Sequence, residues 1–311
     1  MKARIWSGAF EGAGLYLGVP EAIYHADPCP EPSLSSHVAK TALKFSARHA
    51  QEEHPRLRPP APQPVDDEDD DETPAPARHL LIGQAAHSLV LGAGAPVVEM
   101  KVRNFKTKDA REARKALLAA GSIPLKTKDY RIAQHMAEIA RPLFKARLGG
   151  EFIPEAMLAW QERGLWRRGL VDGCSPDMRV AGDYKTSGRR CPPAVAAQFV
   201  NANGYPFQER FYNRGFDCLD RSGIGRRKFF FMFQEVLEPH AVCFVETDEA
   251  NRSLADENVA AACNIWDRAM LTGKWPAYSL EPYTATPKPW ELQDWEARAM
   301  VDETLNPMEA A

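Results

Sequence analysis

Two aspartates and one lysine stand at a spacing that could support metal-assisted hydrolysis. Asp172 and Asp183 each follow a short apolar stretch, and Lys185 comes two residues after Asp183. Residues two apart on a β-strand point to the same face, so a strand here would place Asp183 and Lys185 side by side. Carboxylates from neighbouring strands can hold Mg²⁺, with Mn²⁺ able to substitute; such a metal polarises a phosphoryl oxygen and lowers the pKa of its bound water. The nearby ammonium can orient that water or offset the charge that develops on the phosphate.

An Asp-x-Lys triplet alone is a weak signal, because surface aspartates and lysines often stand two residues apart. The context strengthens it. Asp172 lies eleven residues before Asp183, across a segment that contains a predicted turn, and Thr186-Ser187-Gly188 closes the second strand. Two carboxylates at the ends of adjacent strands are what an active site on a hairpin requires.

The elements that would position these residues follow from the hydrophobic periodicity and the turn residues. The predicted helices cover residues 37–50, 79–91, 108–118, 129–148, 193–203, 205–215 and 249–271. The predicted strands cover residues 155–161, 165–171, 178–185, 228–236 and 240–246, and the short polar segment 162–164 predicts a hairpin. We therefore expect an α/β domain with a central mixed sheet flanked by helices.

The composition excludes several classes of protein. The chain has 311 residues, of which 44% are hydrophobic and 26% charged, which is typical of a large globular domain. No apolar run approaches the roughly 18 to 20 residues that span a bilayer, so we expect no membrane segment. The six cysteines include no CxxC pair, which argues against a zinc ribbon and predicts free thiols in a reducing cytoplasm.

Charge is distributed unevenly along the chain. The formal net charge is −3, but residues 66–72 are seven consecutive acids, so the remainder is mildly basic. Seven prolines between residues 55 and 76 leave little to bury, which predicts a disordered insertion. Basic clusters occur at 167–168, 189–190 and 226–228. They could bind a polyanion or form an ordinary solvated face.

Several weak motifs in a fixed order resemble the PD-(D/E)xK nucleases, and within them the RecE-like, exodeoxyribonuclease VIII-type exonucleases of prophages. The resemblance covers most of the chain. It lies in residues 16–27, 34–36, 82–90, 155–160, 172, 183–186 and 205–212.

The resemblance implies roles for the residues at matching positions. Asp172 and Asp183 match metal ligands, and Lys185 matches the catalytic lysine. His87 matches the helix histidine that helps to form the metal site of RecB-type nucleases. Glu155 matches an acidic position on the first core strand, where it could bind a metal or activate water.

The resemblance further assigns Gln208 and Tyr212 to a Q-x-x-x-Y element that lines the DNA channel. The two stand one helical turn apart and so share a face. Val171 occupies the position of the proline in the family name, a position that varies. From the residues alone, His87 is also consistent with a core histidine, and Glu155 with a charge at the start of a strand.

Taken together, these assignments imply a Mg²⁺-dependent 5′-to-3′ exonuclease that acts on the ends of linear double-stranded DNA in phage-type recombination. A single-strand annealing protein and a homo-oligomer are expected by the same resemblance. The residues expected to bind the DNA backbone are Arg167, Arg168, Arg189 and Arg190. An endonuclease or single-strand nuclease of the same fold, and a non-catalytic DNA-binding module, remain as alternatives.

The expected organisation has four segments. They are an N-terminal helical part of the nuclease domain (1–54), the Pro-rich acidic insertion (55–78), the nuclease core (79–285) and a C-terminal tail (286–311).

Overall fold

The computed structural model describes residues 3–59 and 77–305 of the chain. Most of the predicted insertion, including its acidic run, lies outside the described residues. The chain divides into two units, Met1–Ala277 and Tyr278–Ala311. The larger unit contains the sheet and the residues considered below.

The strands and helices alternate along the larger unit. Its strands are β1 (Arg4–Ile5), β2 (Gly14–Leu17), β3 (Leu34–Ser35), β4 (Val97–Met100), β5 (Ile123–Lys126), β6 (Ile153–Glu162), β7 (Leu165–Cys174), β8 (Val180–Ser187), β9 (Lys228–Glu235) and β10 (Val242–Val245). Its helices are α1 (Glu21–His25), α2 (Ser36–Lys44), α3 (Ala47–Glu53), α4 (Arg78–Leu91), α5 (Lys108–Ala119), α6 (Thr127–Arg147), α7 (Pro193–Ala202), α8 (Tyr205–Leu219) and α9 (Glu249–Thr272). The smaller unit contains α10 (Pro289–Val301).

Within the described residues, eight strands form one mixed sheet. Seven of them run in the order β1-β2-β6-β7-β8-β9-β10, and β3 pairs separately with β7. The β1/β2, β3/β7 and β8/β9 pairs are parallel, and the other neighbours are antiparallel. Strands β4 and β5 pair in a separate parallel ribbon. The expected central mixed sheet is confirmed.

The hairpin between β6 and β7 closes as the sequence predicts. Glu162 pairs with Leu165, which leaves Arg163 and Gly164 as a two-residue loop. Both loop residues have positive φ, 51° and 77°. This is the conformation of a type I′ turn, whose twist matches that of the strands it joins.

Helices cover both faces of the sheet. Side chains of β9 alternate between the two cores. Phe231 packs in the cluster that contains Phe211 of α8 and Trp266 of α9. Phe230 packs with Phe144 of α6 on the other face. The aromatic run 229–233 is therefore buried strand, as its alternation indicates.

The N-terminal part departs from the expectation of a helical segment, because β1, β2 and β3 also contribute to the sheet. The predicted helix 37–50 is two helices. Phe45 leaves the helical conformation, and the Ser46 side chain accepts a hydrogen bond from the His49 backbone and so caps α3. Helix α6 is continuous through Pro142, and Ala140 and Phe144 on either side of this proline are buried.

Among the helices of the described residues, none is long and apolar enough to cross a membrane. The six cysteines are free thiols, as predicted.

Candidate active site

Asp172 and Asp183 come together where β7 and β8 separate. The two antiparallel strands pair only at Gly173–Gly182 and Cys174–Ala181. Continuing this register, the next opposed residues are Asp172 and Asp183. There Asp172 Oδ2 accepts a hydrogen bond of 2.8 Å from the backbone N–H of Tyr184 in place of a ladder partner. The divergence of the strands makes room for both carboxyl groups.

Asp183 is 1% exposed. Its Oδ2 accepts a hydrogen bond of 2.7 Å from Gln208 Nε2, and its Oδ1 forms an ion pair with Lys185. Oδ1 is buried and has the Lys185 ammonium as its partner. Burial and the negative charge of Asp172 raise the pKa of the Asp183 carboxyl to about 6. An additional cation at this position would lower the free energy of the ionised carboxylate.

Asp172 is held by His87 of α4. Nε2 of the imidazole lies 3.1 Å from Asp172 Oδ2. Burial opposes both charges, but their mutual attraction outweighs it, so the pKa of Asp172 is lowered and the pKa of His87 is raised. The sequence-predicted histidine and aspartate therefore form a charge-assisted pair across α4 and the sheet.

A close approach of α4 to β8 sets the position of His87. A Cβ atom on Gly83, one turn before His87, would lie 2.3 Å from Oγ1 of Thr186. Only glycine allows the helix to lie this near the strand. The resemblance includes Gly83 within its motif 82–90, but nothing in the sequence gives the reason for it.

Glu155 stands on β6 opposite Asp172. Its neighbours Pro154 and Ala156 pair with Gly173 and Val171, which places Glu155 between them in the register. Its φ is +41°, in the left-handed region that non-glycine residues seldom adopt. Burial raises the pKa of its carboxyl; the His87 imidazolium opposes this shift and the Asp172 carboxylate reinforces it. Glu155 therefore belongs to the same electrostatic cluster.

Lys185 points from β8 to the same side as Asp183. Its Nζ lies 5.1 Å from the centre of the Tyr205 ring. Burial disfavours the ammonium, but Asp183 and Asp172 raise its pKa above the ordinary value, so it stays protonated. A cavity of about 480 Å³ opens beside it, lined also by Arg189.

Gln208 and Tyr212 lie one turn apart on α8, as expected, but only Gln208 reaches the carboxylates. Its amide also lies 3.2 Å from the Tyr212 hydroxyl. Tyr212 is buried, and its ring packs against Gly169, where a Cβ would lie 2.8 Å from the ring. The structure therefore gives Tyr212 a place in the core under β7, from which it supports Gln208.

Arg167 and Arg168 do not reach the surface, which corrects their assignment to DNA binding. Arg167 is 0% exposed and forms an ion pair with Asp267 of α9. Arg168 donates to the backbone carbonyl and hydroxyl of Ser33 and pairs with Asp27. Both guanidinium groups neutralise buried carboxylates and leave no face for a phosphate.

Arg189 and Arg190 are exposed, and among the described residues only Arg190 has an acidic partner. Arg190 pairs with Glu235 at 2.8 Å. Arg189 lies 4.5 Å over the ring of Phe199 and borders the cavity beside Lys185. Arg189 is thus the member of the basic cluster whose position suits a polyanion.

The donor atoms at this site suit a hard divalent cation. Within residues 3–59 and 77–305, no three His, Cys, Asp or Glu side chains are grouped closely enough to bind a metal by themselves. Mg²⁺, however, is usually bound by one or two carboxylates together with waters and substrate phosphates. Asp172 and Asp183 supply two carboxylates, and their repulsion contributes to the raised pKa of Asp183, which a bound cation would offset. These residues fit Mg²⁺.

Comparisons with known proteins give low similarity. No protein-family model matches the sequence, and no curated protein matches it. A presumed exonuclease from Eubacterium rectale is 10% identical, with a TM-score of 0.49 over 89% of this chain and 98% of that one. A phage-related exonuclease from Haemophilus somnus 129PT is 15% identical, with a TM-score of 0.31 over 61% of this chain and 95% of its own. LHK-Exo in complex with dAMP is 12% identical, with a TM-score of 0.25 over 63% of this chain and 94% of its own.

Proposed function

We propose that the protein is a Mg²⁺-dependent deoxyribonuclease that hydrolyses phosphodiester bonds at the ends of linear double-stranded DNA. The observation that carries this proposal is the opposed pair Asp172 and Asp183, with the Lys185 ammonium on the same face of the same strand as Asp183. Two carboxylates and one lysine at the divergence of two strands supply the groups that phosphodiester hydrolysis requires.

In the proposed reaction, each residue has a separate task. Asp172 and Asp183 would hold the metal, which when bound would supply positive charge near the phosphoryl oxygen and lower the pKa of a water molecule. Lys185 donates to a non-bridging phosphate oxygen as negative charge develops there. Glu155, whose pKa is raised, is proposed to accept a proton from the attacking water.

The remaining residues of the cluster hold these groups in position. His87 fixes Asp172 through Nε2. The resemblance also implies metal binding by His87, which would require its neutral imidazole. Gln208 fixes Asp183 through Oδ2. Arg189, above Phe199, is proposed to contact the DNA backbone outside the reacting phosphate.

The resemblance of the sequence motifs supports three finer parts of the proposal. These are the 5′-to-3′ direction, a role in phage-type recombination with a single-strand annealing partner, and assembly as a homo-oligomer. The spacing of the cysteines supports a cytoplasmic location, and the carboxylate ligands support the use of Mn²⁺ in place of Mg²⁺.

The proposal is tested with four DNA substrates: linear duplex labelled at the 5′ end, linear duplex labelled at the 3′ end, covalently closed circles and single strands. Each is incubated with Mg²⁺, with Mn²⁺ or with EDTA. An Asp172→Asn protein purified in the same way controls for contaminating nuclease. We expect metal-dependent degradation of linear duplex, early release of the 5′ label, and intact circles.

Other outcomes separate the alternatives. Nicking of closed circles would identify an endonuclease of the same fold, and preferential loss of single strands would identify a single-strand nuclease. Binding of DNA without cleavage under any metal condition would contradict the enzymatic proposal and favour a DNA-binding module.

A further inference from the structure

Lys40 is a cation near the candidate active site that the sequence motifs do not single out. It lies on α2, which begins directly after β3. Ser35 of β3 pairs with Arg168 of β7, so α2 starts at the sheet. Val38 and Ala39 of α2 are buried, whereas Lys40 is partly exposed. The helix therefore holds the backbone of Lys40 firmly while its side chain leaves the core.

The Lys40 side chain extends along the turn between α7 and α8. Its Cδ lies 3.8 Å from the position that a Cβ on Gly204 would take, so the Lys40 stem lies beside this glycine. The next residue in the turn, Tyr205, has its ring 5.1 Å from Nζ of Lys185. Two lysines, one from α2 and one from β8, therefore converge on this turn.

The ammonium groups of Lys40 and Lys185 repel each other. Burial and repulsion by Lys185 lower the pKa of Lys40, and attraction by Asp183 opposes them. Asp183 is already paired with Lys185. The two ammonium groups therefore repel each other beside Asp183 in a partly buried place, and an anion between them would offset this repulsion.

The space beside these cations is large enough for a phosphate ester. The cavity of about 480 Å³ next to Lys185 is lined by Arg189, Asn203 and Tyr205 among others. Asn203 and Tyr205 flank Gly204, the turn residue beside which the Lys40 stem lies. The Lys40 stem is therefore one residue away in the turn from two residues that line the cavity next to the proposed catalytic lysine.

We propose that Lys40 binds a backbone phosphate of the nucleic acid adjacent to the phosphate that is cleaved. The contact holds the strand in register with Asp183 and Lys185. This inference rests on the proposed nuclease function and adds a substrate-binding residue to it. Lys40 takes no part in making or breaking the phosphodiester bond.

The test compares variants that separate the charge of Lys40 from its packing. Lys40→Met keeps an apolar stem against Gly204 and removes the charge, and Lys40→Arg restores a cation. Lys44→Ala is the matched control, because Lys44 is an exposed lysine one turn later on the same helix, where its ammonium lies 5.1 Å from the Phe45 ring. Each protein is assayed for KM and kcat on linear duplex with Mg²⁺, and for DNA affinity in EDTA across a salt series.

We expect Lys40→Met to raise KM about tenfold, because one hydrogen bond to a charged group is lost. The change in kcat should be smaller. The slope of log affinity against log salt should fall by about one, as for the loss of one phosphate contact. Lys40→Arg should recover most of both values, and Lys44→Ala should behave like the parent.

The inference is overturned if Lys40→Met matches Lys44→Ala in KM and in salt slope, because the charge of Lys40 then contacts no phosphate. Failure of the proposed function gives a different result. A parent protein that cleaves no DNA, but whose salt slope still falls in Lys40→Met, would contradict the nuclease and support Lys40 as a phosphate-binding residue.

Discussion

Replacing Asp183 with asparagine is expected to stabilise the metal-free protein while it abolishes cleavage. The reason is the unfavourable environment of this carboxylate. Burial, and then the negative charge of Asp172, raise its pKa from 3.8 to about 6. The folded state therefore holds the Asp183 proton more tightly than the unfolded state does. Asparagine has nearly the same size and cannot ionise, so it avoids this penalty.

The magnitude and the pH range follow from linkage. One pKa unit corresponds to 1.36 kcal/mol, so a rise from 3.8 to about 6 is worth about 3 kcal/mol. Below about pH 4, Asp183 is protonated in both states and contributes no pH dependence. Between about pH 4 and 6 the folded state binds more protons, so the free energy of unfolding falls as the pH rises. Above about pH 6 the whole cost is present.

Urea denaturation in EDTA at a series of pH values measures this effect. The free energy of unfolding of Asp183→Asn minus that of the parent should grow by about 3 kcal/mol between about pH 4 and 7. Asp177→Asn is the opposite control. Hydrogen bonding from Ser175 lowers the pKa of Asp177, so the ionised carboxylate stabilises the folded parent. The free energy of unfolding of Asp177→Asn, relative to that of the parent, should therefore fall as the pH rises through the acid range. A difference between Asp183→Asn and the parent that does not vary with pH would refute the reasoning.

Three further predictions concern the positions of the site residues. Gly83→Ala should displace α4 and lower kcat on linear duplex by about 10²-fold. Adding Thr186→Ala should restore part of kcat, because it removes the nearest clashing atom. Unchanged kinetics in Gly83→Ala would show that the helix can shift freely. Gln208→Leu removes a donor from an ionised carboxylate, so the acidic limb of the pH profile of kcat/KM should move to higher pH; an unshifted limb would contradict this. Arg167→Met leaves Asp267 in a buried site without this partner and should cost about 3 to 5 kcal/mol of unfolding free energy. If instead the salt slope of DNA binding falls and stability does not, Arg167 binds DNA after all.

Much of the fold follows from local sequence, because it depends on periodicity and turn chemistry. The sequence predicts α4, α9 and the β6/β7 hairpin close to their observed bounds. The strands that it misses are short, and two of them pair with strands more than a hundred residues later. β3, for example, has two residues and pairs with β7 more than a hundred residues later.

The candidate site likewise contains residues whose positions follow from local sequence and residues whose positions do not. Asp172, Asp183 and Lys185 lie close together because strand period and hairpin register are local properties. Arg167 and Arg168 form a basic pair that the sequence places on a surface. The carboxylates that bury them, Asp267 and Asp27, come from remote elements, so no local pattern shows the pairing.

Lys40 is the opposite case, a residue for which the structure suggests a role that the sequence does not indicate. It is an ordinary polar residue of an amphipathic helix in the sequence. Its proximity to Lys185 arises only when α2 packs beside the turn at Gly204. Residues whose role depends on packing between separate elements cannot be found from periodicity alone.

The most direct test of the account is the rate of nucleotide release from uniformly labelled linear duplex by the parent, Lys185→Ala and Lys115→Ala in Mg²⁺. Lys115 is an exposed lysine on α5 and serves as the matched control. The account predicts that the parent and Lys115→Ala release nucleotides at similar rates, and that Lys185→Ala is slower by about 10²-fold or more. Equal rates for all three proteins would contradict the assignment of this site as the catalytic centre.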